Sequence, residues 1–257
     1  FGNRYEAENR LPFRHSTNTI NHLLPTRTQN TSTMKNSTEP LLSDLVLLKT
    51  NQFVAFNKPP ELPVITDKTG DKSLADLAKI YTQGTILLTH RIDRPASGVV
   101  LFARNKNAQI HINQQFQERN IQKPYLAVVG QATDPVSGQL LDYLKKNGQL
   151  NKSFVVEANS PGAKKAELSY ELLDSIDNYH LLKIVLHSGR HHQIRAQLAQ
   201  MGTPIKGDVK YGFRRKNADR SIHLHAWQLD FAHPVTGALV HLEAPLPQET
   251  VWQAFTF

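Results

Sequence analysis

The sequence predicts an α+β fold built on a mixed, mainly antiparallel central sheet flanked by helices and loops. Strand-like segments outnumber helical ones, and they rarely alternate with helices one for one, as they would in a doubly wound parallel fold. Turn signals at residues 160–162 and 177–178 separate neighbouring strand-like segments. With 257 residues, of which 39% are hydrophobic, the chain can bury a substantial core.

The predicted elements of the first half begin near residue 45. DLVLLKTNQFVAFNKPP predicts two short strands around a turn at Thr50 and Asn51. KSLADLAKIY predicts a short helix, whose inner side is expected to carry Leu74, Leu77, Ile80 and Tyr81. GVVLFAR predicts a buried strand and KPYLAVVG the strand after the next helix. That helix, NKNAQIHINQQFQERN, has a predicted inner stripe of Ala108, Ile112, Gln115 and Phe116.

The second half predicts more strands and one helix. FVVEA, AELSYELL and YHLLKIVLH have strand composition, and IHLHAWQLDFAH alternates as a further strand before a turn at residues 234–237. HHQIRAQLAQMG predicts a helix from the spacing of Ile194, Leu198 and Met201, and Gly202 suits its C-terminal cap.

Residues 1–41 differ in composition from the rest of the chain. They are rich in Ser, Thr and Asn and have no sustained period, which predicts a disordered segment before a folded domain at 42–257. One interpretation is that the true start is Met34. The other is a presequence, since Arg is frequent and acids are few, although Glu6 and Glu8 weaken it.

Composition also excludes several classes of protein. The absence of cysteine excludes disulfides, thiolate zinc sites and a cysteine nucleophile, and it fits a reducing compartment. No apolar run reaches the roughly 18 residues of a membrane span, and no secretory signal is visible. We therefore expect a cytoplasmic protein that does not enter a membrane, and we expect a monomer.

The positive charge of the chain is concentrated in one stretch. The formal net charge is +8, and residues 187–220 contain eight Lys or Arg against two Asp, which is a local net charge of +6. Such clustering indicates a surface for a polyanion, and nucleic acid is the first candidate. The alternative is a solvated basic face without a ligand.

The segment HRIDRPASG places one acid, Asp93, between Arg91 and Arg94. Pro95 and Gly98 predict a loop that leads into the buried strand. In extended geometry Arg91 and Asp93 point to the same side, and neighbouring guanidinium groups favour the charged carboxylate. Such an acid is suited to attack or to stabilise a cation rather than to donate a proton. The alternative is a structural Asp–Arg pair at a turn.

Further basic and aromatic residues accompany this acid. SGRHHQIRAQLAQMG places Arg190 at a helix entrance and Arg195 inside the helix, where arginine can clamp phosphate. More cations follow on loops: Lys206, Lys210, Arg214, Arg215 and Lys216. NKPP contributes Lys58, and QKPYL contributes Lys123 beside Tyr125, which suits either a core position or base stacking.

Five motifs in order carry a resemblance to a known family. NKPPELPV, HRIDRPASGVVLFAR, QKPYLAVV, SGRHHQIRAQLAQMGTPIKGDVKYG and LHAWQLDFAHPVTG resemble the motifs of the RluA-type RNA pseudouridine synthases across about residues 42–250. Each motif alone is weak, and their common order makes the resemblance specific.

The resemblance implies the pseudouridine synthase fold and an isomerase that converts uridine to pseudouridine in RNA, ribosomal RNA first and transfer RNA second. Asp93 is then the essential carboxylate, Tyr125 stacks on the flipped uracil and serves in the base step, and Arg195 holds Asp93 in a buried ion pair. The residues expected to contact RNA or to shape the pocket are Lys58, Arg91, Arg94, Lys123, Arg190, His192, Lys206 and Lys210. No metal and no cofactor are expected.

The chain departs from the family pattern in two places. Ala96 stands where the family more often has Thr or Ser. Fewer than 60 residues precede the first motif, so we expect no S4-like RNA-binding domain and a substrate choice made by the catalytic domain.

Three other interpretations compete with the isomerase. A metal site would need His187, His191, His192, His223 and His225. Because no Cys or acid completes that set of ligands, a metal site is disfavoured. A hydrolase of the N-glycosidic bond is disfavoured because no second acid is placed to activate water. A non-catalytic RNA-binding protein with the same fold is the main alternative.

Overall fold

A computed structural model of the protein describes residues 41–257. The predicted N-terminal segment and the alternative start at Met34 lie outside the described residues, apart from Leu41. The domain boundary at residue 42 therefore stays a prediction. No helix in the described part of the chain has the length and apolar composition needed to cross a bilayer.

The described residues form twelve strands and four helices. The strands are β1 (Val46–Lys49), β2 (Phe53–Lys58), β3 (Leu87–Leu88), β4 (Ser97–Ala103), β5 (Pro124–Val129), β6 (Ser137–Asn147), β7 (Lys152–Val156), β8 (Lys164–Ile176), β9 (Tyr179–Leu186), β10 (Leu224–Ala226), β11 (Gln228–Ala232) and β12 (Leu239–Glu243). The helices are α1 (Leu74–Thr82), α2 (Lys106–Glu118), α3 (Gln193–Gln200) and α4 (Thr250–Gln253). Short 3₁₀ turns lie at Leu42–Leu45 and Val209–Tyr211.

Ten of these strands form one long sheet. Its order is β1-β2-β4-β10-β5-β9-β8-β6-β7, and β3 pairs with β4 beside this path. Among the described strands β4 and β10 run parallel, and the other neighbours run antiparallel. Strands β11 and β12 form a separate hairpin. The predicted α+β class with a mixed, mainly antiparallel sheet is confirmed.

The sheet is covered on both faces around β4. Val100 and Phe102 belong to the hydrophobic cluster that also contains buried residues of α1. Val99 and Leu101 point the other way, into the cluster that contains buried residues of α2. Because successive side chains of a strand alternate between faces, covering both faces buries every residue of β4. This explains why the segment is a continuous apolar run rather than an alternating one.

Some details of the prediction were wrong. Ile80 of α1 is 64% exposed, because it lies about 240° around the helix axis from the buried Leu74. The single strand predicted in IHLHAWQLDFAH is two strands, β10 and β11, which belong to different sheets. Strands β6 and β12 were not predicted. Each has only one fully buried residue, Leu144 and Leu242 respectively, so the alternation of apolar residues is weak.

The loop that carries Asp93 joins β3 to β4 and depends on one close contact between strands. Gly98 has a φ of 111°, a conformation that favours glycine, and it pairs with Ala226 of the parallel strand β10. A Cβ atom at residue 98 would lie 2.6 Å from the backbone nitrogen of Ala226. Only glycine lets the two strands approach this closely immediately after the loop.

We predict that Gly98→Ala lowers the free energy of unfolding by at least about 3 kcal/mol, because the added methyl group meets backbone that cannot move without breaking the sheet. Chemical denaturation monitored by circular dichroism measures the change. Gly84→Ala is the matched control, since its added Cβ would meet only the carbonyl oxygen of Thr82, at 3.7 Å. Equal stability of the two variants would contradict the close contact inferred at Gly98.

Candidate active site

Asp93 faces a cavity of about 470 Å³, a size that suits a small planar ligand. Its side chain is 21% exposed. The backbone turns sharply here, since the Ala96 N–H donates to the carbonyl oxygen of Asp93 at 3.1 Å. The carbonyl of Pro95 accepts from the Ile222 N–H at 3.1 Å, which ties the loop to the segment before β10. The carboxylate is therefore held at the cavity wall by a rigid loop.

Lys58 fixes the same loop from inside the protein. Its ammonium group is fully buried and donates to the carbonyl oxygens of Pro59, Leu62 and Arg94 at 2.8, 2.8 and 3.0 Å. Burial lowers the pKa of Lys58 to about 7. The prediction that Lys58 contacts RNA does not fit this placement, because all three donors already have acceptors and solvent does not reach them. Lys58 instead positions the backbone beside Asp93.

Arg195 of α3 lies between two carboxylates. Its Nη1 is 3.2 Å from Oδ2 of Asp93, while its Nε and Nη2 donate to the two oxygens of Asp208 at 2.7 and 2.9 Å. Asp208 is 1% exposed and Arg195 is 5% exposed at the side chain. Burial works against the charge of Arg195, but its bonds and attraction to Asp208 and Asp93 outweigh this and raise its pKa. The structure thus brings together the pair expected from sequence.

Asp208 was not predicted as part of the site. It lies in the segment KGDVKYG, where a single acid between two lysines was a signal that could have identified it. The two-pronged pair with Asp208 uses the planar fork of the guanidinium group, which sets its orientation. Asp208 therefore aims the remaining nitrogen of Arg195 at Asp93.

Two rings complete the surroundings of Arg195. The guanidinium carbon lies 5.0 Å from the ring centroid of Tyr211, whose hydroxyl oxygen accepts from the Ser153 N–H at 2.8 Å. Nδ1 of His192 lies 3.0 Å from the same hydroxyl, and its Nε2 lies 3.8 Å from Oδ2 of Asp93. Burial and then the charge of Arg195 lower the pKa of His192 to about 2, so this ring is neutral. His192 shapes the pocket without adding charge.

Tyr125 of β5 lines the cavity that Asp93 faces. The residue is 8% exposed, and β10 lies beside it in the sheet. Burial, followed by the negative charge of Asp93, raises the pKa of its phenol. The phenol therefore keeps its proton, and Tyr125 offers a neutral ring with one hydrogen-bonding group.

Besides Arg195, four basic side chains line this cavity: Arg91, Lys123, Lys146 and Arg190. Arg91 is exposed, and Arg190 donates from Nε to the carbonyl oxygen of Lys165 at 2.9 Å. Burial lowers the pKa of Lys123. Lys146 was not predicted, because it lies on β6, a strand that the sequence pattern did not reveal. The rim of the cavity is therefore positively charged, as an anionic ligand requires.

Three other predicted cations lie elsewhere. Arg94 does not line this cavity and pairs with Asp67 at 3.0 Å and Asp71 at 2.5 Å, so its contact with RNA stays a prediction. Lys206 donates to Oδ1 of Asn217 at 2.9 Å, and Lys210 donates to a backbone carbonyl at 3.4 Å. Neither lysine lines the cavity of Asp93.

Each histidine of the alternative metal site lies within hydrogen-bonding distance of another protein group. Nearby hydrogen-bonding atoms belong to Ser169 for His187, Ser153 for His191, Tyr211 for His192, Glu249 for His223 and Ser97 for His225. Within residues 41–257 these and other potential ligands form no cluster of three or more with the geometry of a metal site.

The arrangement can accommodate a neutral planar group next to a carboxylate, with anionic groups at the rim. Tyr125, His192 and the apolar side chains of Ile92 and Leu224 form the uncharged part of the wall. The carboxylate of Asp93 is kept in place by a buried cation, which offsets the cost of excluding water from it.

Known proteins share both the sequence and the fold. The model of the RNA pseudouridylate synthase family matches residues 52–200. An uncharacterised RNA pseudouridine synthase of Mycoplasma pneumoniae is 32% identical over 206 residues, covering 78% of this chain and 66% of the relative. Ribosomal large subunit pseudouridine synthase C of Yersinia pestis is 30% identical over 220 residues, covering 81% and 67%. The chain thus spans about two thirds of the length of these relatives.

Solved structures agree with these similarities. Human RNA pseudouridylate synthase domain containing 4 superposes with a TM-score of 0.65 at 25% identity, covering 80% of this chain and 90% of that one. Human RNA pseudouridylate synthase domain containing 1 has the same fold, with a TM-score of 0.66 at 23% identity and coverages of 79% and 83%. Because the family model covers more than half of the chain and the matched segment contains Asp93, Tyr125 and Arg195, the chain belongs to the RluA-type RNA pseudouridine synthases.

Proposed function

We propose that this protein converts uridine to pseudouridine in RNA, with Asp93 as the catalytic carboxylate. In this isomerisation the bond from C1′ of the ribose to N1 of uracil breaks and a bond from C1′ to C5 forms. N1 gains a proton, C5 loses one, and no water is consumed. The observation that carries the proposal is the Asp93 carboxylate, which faces the cavity and is paired with the buried Arg195.

The geometry suits a nucleotide that has left the helical stack. A uridine in structured RNA must be unstacked before its glycosidic bond becomes accessible. The neutral wall around Tyr125 can receive the uracil ring, and the cations at the rim can bind the neighbouring phosphates. The phosphates would then remain outside while the base lies beside Asp93.

An ionised Asp93 can assist the bond exchange in three ways. It can bond to C1′ as the base leaves, bond to the uracil ring, or remove a ribose proton so that the sugar passes through a glycal. Each of these routes needs a carboxylate that is charged when the base is bound and water is excluded. The pair with Arg195 supplies that condition.

Tyr125 acts first as a platform for the base. Since its phenol keeps its proton, it can stack on uracil and donate a hydrogen bond, and it can accept the C5 proton only after giving up its own. Arg91, Lys123, Lys146 and Arg190 would bind the backbone of the RNA.

Ribosomal RNA is the first candidate substrate, and transfer RNA is the second. The support is the name of the Yersinia pestis relative, ribosomal large subunit pseudouridine synthase C. The monomeric state and the cytoplasmic location expected from sequence stay predictions.

Asp93→Asn should abolish pseudouridine formation and leave RNA binding largely intact, because the amide preserves shape but removes the charge. Carbodiimide treatment and primer extension, applied to RNA from cells with and without the gene, first identifies the modified uridine. The purified variant is then assayed on that RNA. Asp177→Asn, which removes an equal charge from an exposed turn, is the control. If RNA from the two strains is modified at the same uridines, the proposed isomerase activity is contradicted. The alternative of a non-catalytic RNA-binding protein is then favoured.

Removal of Arg195 should have two separable effects. Arg195→Met leaves Asp208 buried without its cation, and we expect a loss of about 3–5 kcal/mol in the free energy of unfolding. The double variant Arg195→Met with Asp208→Asn removes both charges and should regain most of that stability. It should nevertheless stay inactive, because Asp93 has lost its partner.

Denaturation curves and turnover of the identified RNA measure the two effects. Near-wild-type turnover in the stable double variant would show that Asp93 does not depend on Arg195.

A further inference from the structure

A second cavity of about 520 Å³ adjoins the one that Asp93 faces. The two share part of their walls: Lys123, Leu186, Gly189 and Arg190 line both. The second cavity continues past these residues to Arg119, at the end of α2, and His187, at the end of β9. Together the cavities form one groove with the carboxylate at one end.

The second cavity carries only positive charges in its wall. Arg119, Lys123 and Arg190 line it, and no Asp or Glu of residues 41–257 does. Glu167 lies outside the wall and is paired with Lys165 at 3.1 Å. Arg119 is exposed, and in the described part of the chain no carboxylate lies within ion-pair distance of it. Because the wall of this half of the groove contributes cations and no carboxylate, its charge favours an anionic ligand.

Lys123 is the cation where the two cavities meet. Its ammonium nitrogen lies 5.4 Å from the ring centroid of Phe116, and it has no carboxylate or hydrogen-bond partner among residues 41–257. Burial lowers its pKa, because removal from water disfavours the charged form. An anion bound at this point would offset that cost, since it supplies the missing partner.

We propose that the second cavity binds the RNA phosphates next to the target uridine, with Lys123 and Arg190 at the nearer phosphate and Arg119 at the next one. This inference rests on the proposed function, which puts the uridine beside Asp93. Phosphate fits better than a second base. Lys123 lies over the Phe116 ring, and apart from this ring and the imidazole of His187 the residues that line the wall are not aromatic, whereas Arg119, Lys123 and Arg190 provide charged donors.

The test measures binding of fluorescein-labelled pentauridylate to the intact protein at several KCl concentrations. Arg119→Gln should weaken binding roughly tenfold at low salt, because one charged hydrogen-bonded contact is lost. It should also reduce the slope of log affinity against log salt concentration by about 0.7, the value for one phosphate of a single strand. Arg119→Lys keeps the charge at the same left-handed backbone position and should retain most of the slope.

Lys79→Gln is the matched control, since Lys79 is an exposed cation that lines neither cavity of the groove. Its affinity and slope should equal those of the unmodified protein. The inference is overturned if Arg119→Gln keeps the original slope, if Lys79→Gln changes it equally, or if the unmodified protein does not bind pentauridylate. Binding as expected without pseudouridine formation in any RNA would support the phosphate site and contradict the isomerase.

Discussion

Arg195 joins two carboxylates that come from distant parts of the chain, and the rest of the site is built around this contact. Asp208 holds two nitrogens of the guanidinium group, so a single nitrogen remains for Asp93. A buried pair of one cation and one carboxylate, such as Arg195 with Asp208, would have no net charge. Here the cation also faces a second carboxylate, that of Asp93, which is partly exposed. The three charges together carry a net charge of −1, and it lies on the carboxylate that meets the cavity. The orientation of one side chain thus decides where the negative charge of the site is found.

The surrounding backbone keeps this charge where the cavity needs it. Lys58 ties the carbonyl oxygens around the Asp93 loop together, and Gly98 lets the following strand lie against β10. On the opposite side, Tyr211 packs against the guanidinium group and bonds to the backbone of Ser153. None of these residues needs to touch a substrate. They convert a flexible acid into one with a fixed position, which is the condition for catalysis by electrostatic preorganisation.

The sequence predicted the fold class and most strands, because hydrophobic periodicity carries that information. The pairing of Asp93 with Arg195, which are 102 residues apart, was expected only from the resemblance of the five motifs to the family. The predictions from sequence were incomplete where the placement of a residue depends on distant segments of the chain. Arg94 and Lys58 are cations in noted motifs, yet Arg94 pairs with Asp67 and Lys58 donates to the backbone carbonyl of Arg94. Lys146 and Arg119 line the groove without belonging to any motif that stood out, since their placement depends on how the sheet and α2 meet. Asp208 lay within a noted motif, but a pairing thirteen residues from Arg195 follows from the loop geometry alone.

The distribution of charge along the groove separates two kinds of recognition. Apart from the paired Arg195, the ring side chains around Asp93 are neutral, since burial lowers the pKa of His192 to about 2 and raises that of Tyr125. Further out, Arg91 and Arg190 place guanidinium groups at the rim. An uncharged base and a charged backbone are therefore attracted to different parts of one surface. If the inner wall were also cationic, a phosphate would compete for the place beside Arg195 and screen Asp93. Because it is neutral, a phosphate gains most at the rim, and the base is the part of the nucleotide left to fill the space at the carboxylate.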